Sequence, residues 1–132
     1  MLRFQDWHIR LEAYLASNSF HPFRYSVFDC CTFVCGAVSA MTGIDPSETF
    51  RGRYSNRKEA RSILASAGGF SGIAKSYGIP EIDPLRAGRG DILQVRASVL
   101  GLKSLNGNDA IVLSDRGIVV APPVKLLRAW HI

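Results

Sequence analysis

Phe28-Asp29-Cys30-Cys31-Thr32-Phe33-Val34-Cys35-Gly36-Ala37-Val38 is the stretch whose reading decides the fold. Apolar residues at 30, 33, 34, 37, 38 and 41 recur with the 3.6-residue period of one helix face, which predicts a helix from 30 to about 42. Gly43 follows, well placed to stop that helix in a left-handed conformation. Asp29 stands directly before the apolar face, where a short acceptor side chain caps free backbone N–H groups. Cys30 then falls in the first turn, at the positive end of the helix dipole, which favours the thiolate that attacks carbonyls. Packing also accounts for a cysteine on a core-facing stripe, and on the helix alone it is the stronger reading. Cys31 and Cys35, four apart on the flanking stripe, read as core thiols. The three cysteines lack the two-plus-two spacing of a zinc site and no histidine stands near them, so neither a metal nor a cofactor is expected.

Working outward, Trp7, Leu11, Tyr14 and Leu15 share a face and predict a first helix over about 5–17. His21-Pro22-Phe23 reads as extended chain leading to the central helix. Downstream, a short helical piece is expected at Ser47-Glu48-Thr49. Asn56 with Glu59 resembles a capping box opening a third helix, buried through Ala60, Ile63, Leu64 and Ala67 and ended by Gly68-Gly69. A short fourth helix is expected from Ser71 to about Tyr77. After Pro84 the pattern changes to strands, at 91–95, 110–113, 118–120 and 126–132, with Asn106-Gly107 as a hairpin-turn signal. Helices first and an antiparallel meander afterwards predict an α+β domain. Phe33, Val34, Ala37, Val38, Ile63, Leu64, Ile92, Ile111 and Trp130 are its expected core.

The 132 residues suit a single domain spanning 1–132, and 47% hydrophobic with 20% charged residues suits a globular chain. No apolar run is long enough to span a bilayer, and Met1–Trp7 lacks the apolar core of a signal peptide, so synthesis in a cytoplasm and no membrane insertion are expected. Three cysteines, two of them adjacent, do not form a disulfide framework. The net charge of +5 raises anionic partners as a class, but the basic residues are mostly dispersed. The one cluster is Arg51, Arg53, Arg57, Lys58 and Arg61 with Tyr54 interleaved. It allows a nucleic-acid-binding reading, and more readily the solvated face of a turn and helix start; no nucleic-acid partner is expected.

A capped helix starting Asp29-Cys30, followed by Gly90-Asp91-Ile92-Leu93 and an antiparallel sheet, resembles the NlpC-type cysteine peptidases of the papain-like superfamily, which cut peptide bonds in bacterial cell walls. The chain is most similar to a small phage-encoded branch, through Phe50-Arg51-Gly52-Arg53-Tyr54, Gly68-Gly69 and the terminal Ala129-Trp130-His131-Ile132. The resemblance implies a papain-like fold with Cys30 at the nucleophile position. It also implies tail-tip or baseplate proteins as partners, bacterial peptidoglycan as the polymer acted on, and residence in a phage virion after synthesis in the host cytoplasm. One departure matters. The family's general-base histidine stands just before a Gly-Ile pair, and aligning Ala110-Ile111 with that pair puts Asn108 in its place; an amide cannot take a proton from a thiol. Of His8, His21 and His131, only His21 precedes the central helix closely enough to be kept as a substitute base. The expectation is therefore a degenerate peptidase fold with a structural or assembly role, with an active peptidoglycan endopeptidase as the alternative.

Overall fold

In the computed structural model, which describes residues 1–96, 99–105, 109–122 and 127–132, the helices come first. They are α1 (Trp7–Ser17), α2 (Cys30–Thr42), α3 (Arg57–Ser66) and α4 (Gly69–Ser76). The strands follow as β1 (Glu81–Ile82), β2 (Ile92–Arg96), β3 (Val99–Lys103), β4 (Ala110–Ser114), β5 (Gly117–Ala121) and β6 (Arg128–Trp130), with a 3₁₀ turn at Pro84–Arg86 before β2. All six strands join one antiparallel sheet in the order β1-β6-β2-β3-β4-β5, so the chain is α+β. No helix among the described residues is long and apolar enough to cross a membrane.

The core is built around α2. Phe33, Val34, Ala37, Val38 and Met41 are fully enclosed against Leu11 of α1, Phe70 of α4 and the sheet residues Ile92, Leu102 and Trp130. Burying each of the larger of these side chains contributes about 1.5–3 kcal/mol, which makes α2 the element on which the others are assembled. Its start carries a full capping box between Asp29 and Thr32, and its end is Gly43 at φ 81°. A Cβ at Gly43 would lie 2.9 Å from the Phe4 ring, so both conformation and space call for glycine there. The sheet alternates as a pleated strand must: Ile92 faces α2, while Leu93 joins Val95, Ala110 and Ala129 in a smaller cluster on the opposite face.

Asp91, 1% exposed at the entry to β2, ties the termini to this frame. Its carboxylate accepts from Gly88 N at 2.9 Å, Arg3 Nη2 at 3.0 Å and Ile132 N at 3.1 Å, and His131 Nδ1 lies 3.0 Å away. The His131 ring is otherwise exposed and stands at this carboxylate just past the last strand.

Several expectations are revised. Helix α1 starts at Trp7 rather than 5, and α4 starts at Gly69, because Gly68 (φ 84°) and Gly69 (φ 70°) turn the chain into it rather than merely ending α3. Residues 46–52 form consecutive turns, not a helical piece, with Asp45 Oδ1 accepting from Ser47 N and Oγ. Strands β1 and β3 were not anticipated, and β6 is confined to 128–130 among the described residues. Of the expected core, Ile63, Leu64 and Ile111 are only half-buried, and α3 has no fully buried residue at all. The Asn106-Gly107 turn lies outside the described residues.

Two substitutions test this frame by urea unfolding. Val34→Ala should cost about 1–3 kcal/mol, as expected for a tightly packed apolar site. Asp91→Ala should cost about 3 kcal/mol, because it leaves Arg3 and two backbone donors without their acceptor. A loss below about 1 kcal/mol at Asp91 would show that the termini are held by something else.

Candidate functional site

The start of α2 is fixed by hydrogen bonds converging on Asp29, which is 5% exposed. Its Oδ1 accepts from Thr32 N at 2.9 Å and Thr32 Oγ1 at 3.1 Å, and the Thr32 hydroxyl in turn accepts from Asp29 N at 2.8 Å. Its Oδ2 accepts from Ser26 N at 2.8 Å and from the Tyr54 hydroxyl. Ser26 holds φ 59°, a left-handed conformation that directs its N–H back at the carboxylate. Arg51 anchors the same loop from the other side. Its guanidinium donates to Val27 O at 3.1 Å and Thr32 O at 3.4 Å and pairs with Asp45 at 3.3 Å. The Arg51–Tyr54 stretch, expected as a solvated surface run, is therefore partly structural. Tyr54 is buried, so its ring offers no open face on which a base could stack.

Cys30 is half-buried in the first turn of α2, as the sequence predicted. Two adjoining hollows of about 290 and 330 Å³ share Cys30, Cys31, Arg61 and Leu64, and together make a groove across the helix start. One side runs past the Gly68–Ser71 entry to α4, with Gln94, Leu100 and Arg128; the other is bounded by Phe23, Tyr25, Arg57, Val99 and Leu113. This groove explains the half-burial of α3: Leu64, on its apolar face, lines an opening instead of filling a core.

The electrostatics of the thiol depart from expectation. Burial pushes Cys30 up to about 11, with the charges of Cys31 and Asp29 acting in the same direction and a backbone hydrogen bond at Leu100 only partly opposing them. The helix dipole alone had suggested a thiolate; burial acts in the opposite direction. Cys31 is raised as well, first by its hydrogen bond with Cys35 and then by burial. Cys31 and Cys35 are 2% and 0% exposed, the core thiols they were expected to be, and no cysteine is in a disulfide.

Neither hollow that Cys30 lines includes any of the chain's three histidines. The His21 ring packs on Phe28 with centroids 4.3 Å apart, and its Nδ1 lies 2.8 Å from Pro22 O. His8 is exposed beside Trp7, and His131 is at Asp91. Asn108, aligned with the family histidine, lies outside the described residues. Among the described residues, the sheet side chains that reach the groove are Gln94, Val99, Leu100, Leu113 and Arg128. Among the described residues no cluster of three or more His, Cys, Asp or Glu could hold a metal.

Sequence reading missed Tyr54 as a partner of Asp29, and Arg57, Arg61, Arg128 and Gln94 as groove residues. A tyrosine 25 positions beyond its acceptor carries no local signal. Removing that hydroxyl is the direct test. Tyr54→Phe should destabilise the fold by about 1.5–3 kcal/mol in urea unfolding, the worth of a hydrogen bond to a buried charged acceptor. An unchanged midpoint would mean that Asp29 is fully held by Ser26 and Thr32.

No curated protein and no solved structure matches the chain. A family match covers residues 2–132, nearly the whole length, and by it the chain belongs to DUF6950, a domain of unknown function.

Proposed function

We propose that this chain is a catalytically degenerate relative of the NlpC-type cysteine peptidases, with a papain-like fold retained as a structural or assembly subunit of a phage tail tip or baseplate. The observation that carries the reading is the groove at Cys30. It has the capped helix, the first-turn thiol and the facing sheet of a thiol hydrolase, but the residues lining it include no imidazole. A thiol raised to about 11 is protonated at neutral pH. Peptide hydrolysis needs that proton removed and another delivered to the leaving amine, work done in the family by the histidine. A positioned acid–base group is worth about 10²–10⁴-fold in rate, so its loss leaves little turnover. Val99, Leu100 and Leu113 supply apolar surface in place of proton transfer.

The tail-tip assignment rests on the resemblance of Asp29-Cys30, Phe50–Tyr54 and the terminal Ala129-Trp130-His131-Ile132 to the phage-encoded branch. A scaffold that has kept the nucleophile's helix as a packed core element and lost the base suits a part that binds rather than cuts. The partners are then other tail-tip or baseplate proteins, held through an interface of permanent size.

Peptidoglycan fragments incubated with the wild type and with Cys30→Ala should emerge uncut from both, and the chain should co-purify with phage particles. Cleavage by the wild type that Cys30→Ala abolishes would establish the active endopeptidase instead.

A further inference from the structure

The groove at Cys30 carries charge that the fold does not use. Arg128, at one end, is already engaged: its guanidinium donates to both Glu81 carboxylate oxygens, at 2.5 and 2.9 Å, and to Ser71 Oγ at 3.2 Å. Arg57 and Arg61 differ. Both line the hollow on the Tyr25 side, both are exposed, and neither belongs to any ion pair among the described residues. They stand one helical turn apart on α3, a rise of about 6 Å. Same-face side chains on an extended strand repeat every two residues, at about 6.6–6.8 Å. Carboxylates at alternate positions of an extended segment lying along α3 would therefore meet the two guanidiniums in register, a pairing in which arginine's planar fork is well suited to each carboxylate.

The opposite wall is apolar, with Val99 and Leu113 from the sheet and Phe23 from the loop before α2, while Leu64 lies between the two hollows. That wall suits the intervening side chains of a polypeptide better than the hydroxyl-rich sugars of a glycan. Tyr54 is turned onto Asp29, whereas Phe23 on this wall is an open aromatic, so stacking of nucleic acid is an outcome that the duplex below tests. We infer that the groove is a docking site for an acidic, extended segment of a partner protein, held by Arg57 and Arg61. This rests on the reading of the cleft as non-hydrolytic, and it gives that cleft an occupant.

The probe is a fluorescent peptide with glutamate at alternate positions and valine between them, titrated against the full chain at low and physiological salt. Its glutamine counterpart, a muramyl peptide and a short DNA duplex serve as comparisons. The glutamate peptide should bind and be recovered intact, while the other three bind more weakly. Arg57→Ala/Arg61→Ala should weaken the glutamate peptide by about tenfold, and Arg86→Ala, outside the groove, should leave it unchanged. Both altered arginines are exposed on α3, and an unchanged unfolding midpoint will show that the double variant is folded. Absence of binding, equal loss on Arg86→Ala, or preference for the muramyl peptide or the duplex would overturn the inference. Binding followed by Cys30-dependent cleavage would uphold the docking and overturn the non-hydrolytic reading.

Discussion

The structure depends on the set of hydrogen bonds that closes on the Asp29 carboxylate. A helix start has free N–H groups that must find acceptors, and at α2 the buried Asp29 beside buried Thr32 supplies them. Asp29 satisfies Thr32 N directly and Ser26 N in the approach loop, and it receives the Tyr54 hydroxyl from a segment 25 residues on. One buried side chain thus joins the loop before α2, the first turn of α2 and the turn region before α3. Because α2 is the apolar centre of the molecule, fixing its start fixes the groove, and with it the setting of Cys30.

The same enclosure decides the chemistry. A helix N-terminus lowers a thiol's pKa only where the dipole is not outweighed by lost solvation. At Cys30 the surroundings that make the helix stable are also those that keep the thiol protonated. A thiol hydrolase overcomes this with an imidazole at the sulfur. The described lining of this groove has Gln94, Arg128 and aliphatic side chains on the sheet side and Arg57 and Arg61 on the α3 side. On the reading proposed above, such a lining holds a ligand rather than turning one over.

How much of this was legible depended on whether the determining contacts were local. The bounds of α2 follow from three local signals that agree: the period of its apolar residues, Asp29 before it and Gly43 after it. Strand β3 was not read from the sequence, where Gly101 interrupts the short apolar run Val99-Leu100-Leu102. Its real cause is tertiary: a Cβ there would stand 2.8 Å from Ile111 O on the neighbouring strand. The apolar stripe of α3 was legible as amphipathic, but not that it faces a groove, since periodicity says which residues share a face and not what lies opposite. For the same reason the position of Cys30 was foreseen and its ionisation was not. The dipole is encoded in the helix that carries the thiol, whereas the desolvation comes from everything packed around it.

Cys30 is held here to be a protonated thiol in a groove whose described lining contains no imidazole, and the pH profile of its alkylation tests this most directly. The rate at which a small neutral alkylating reagent modifies Cys30, followed by peptide mapping to separate it from Cys31 and Cys35, reports the thiolate fraction. Since burial raises this thiol to about 11, the fraction is small at neutral pH and grows as pH rises. The account predicts slow modification at neutral pH, climbing about tenfold per pH unit and levelling only near the raised pKa. A rate already at its plateau by neutral pH would contradict it, because it would show a thiolate stabilised in spite of that burial.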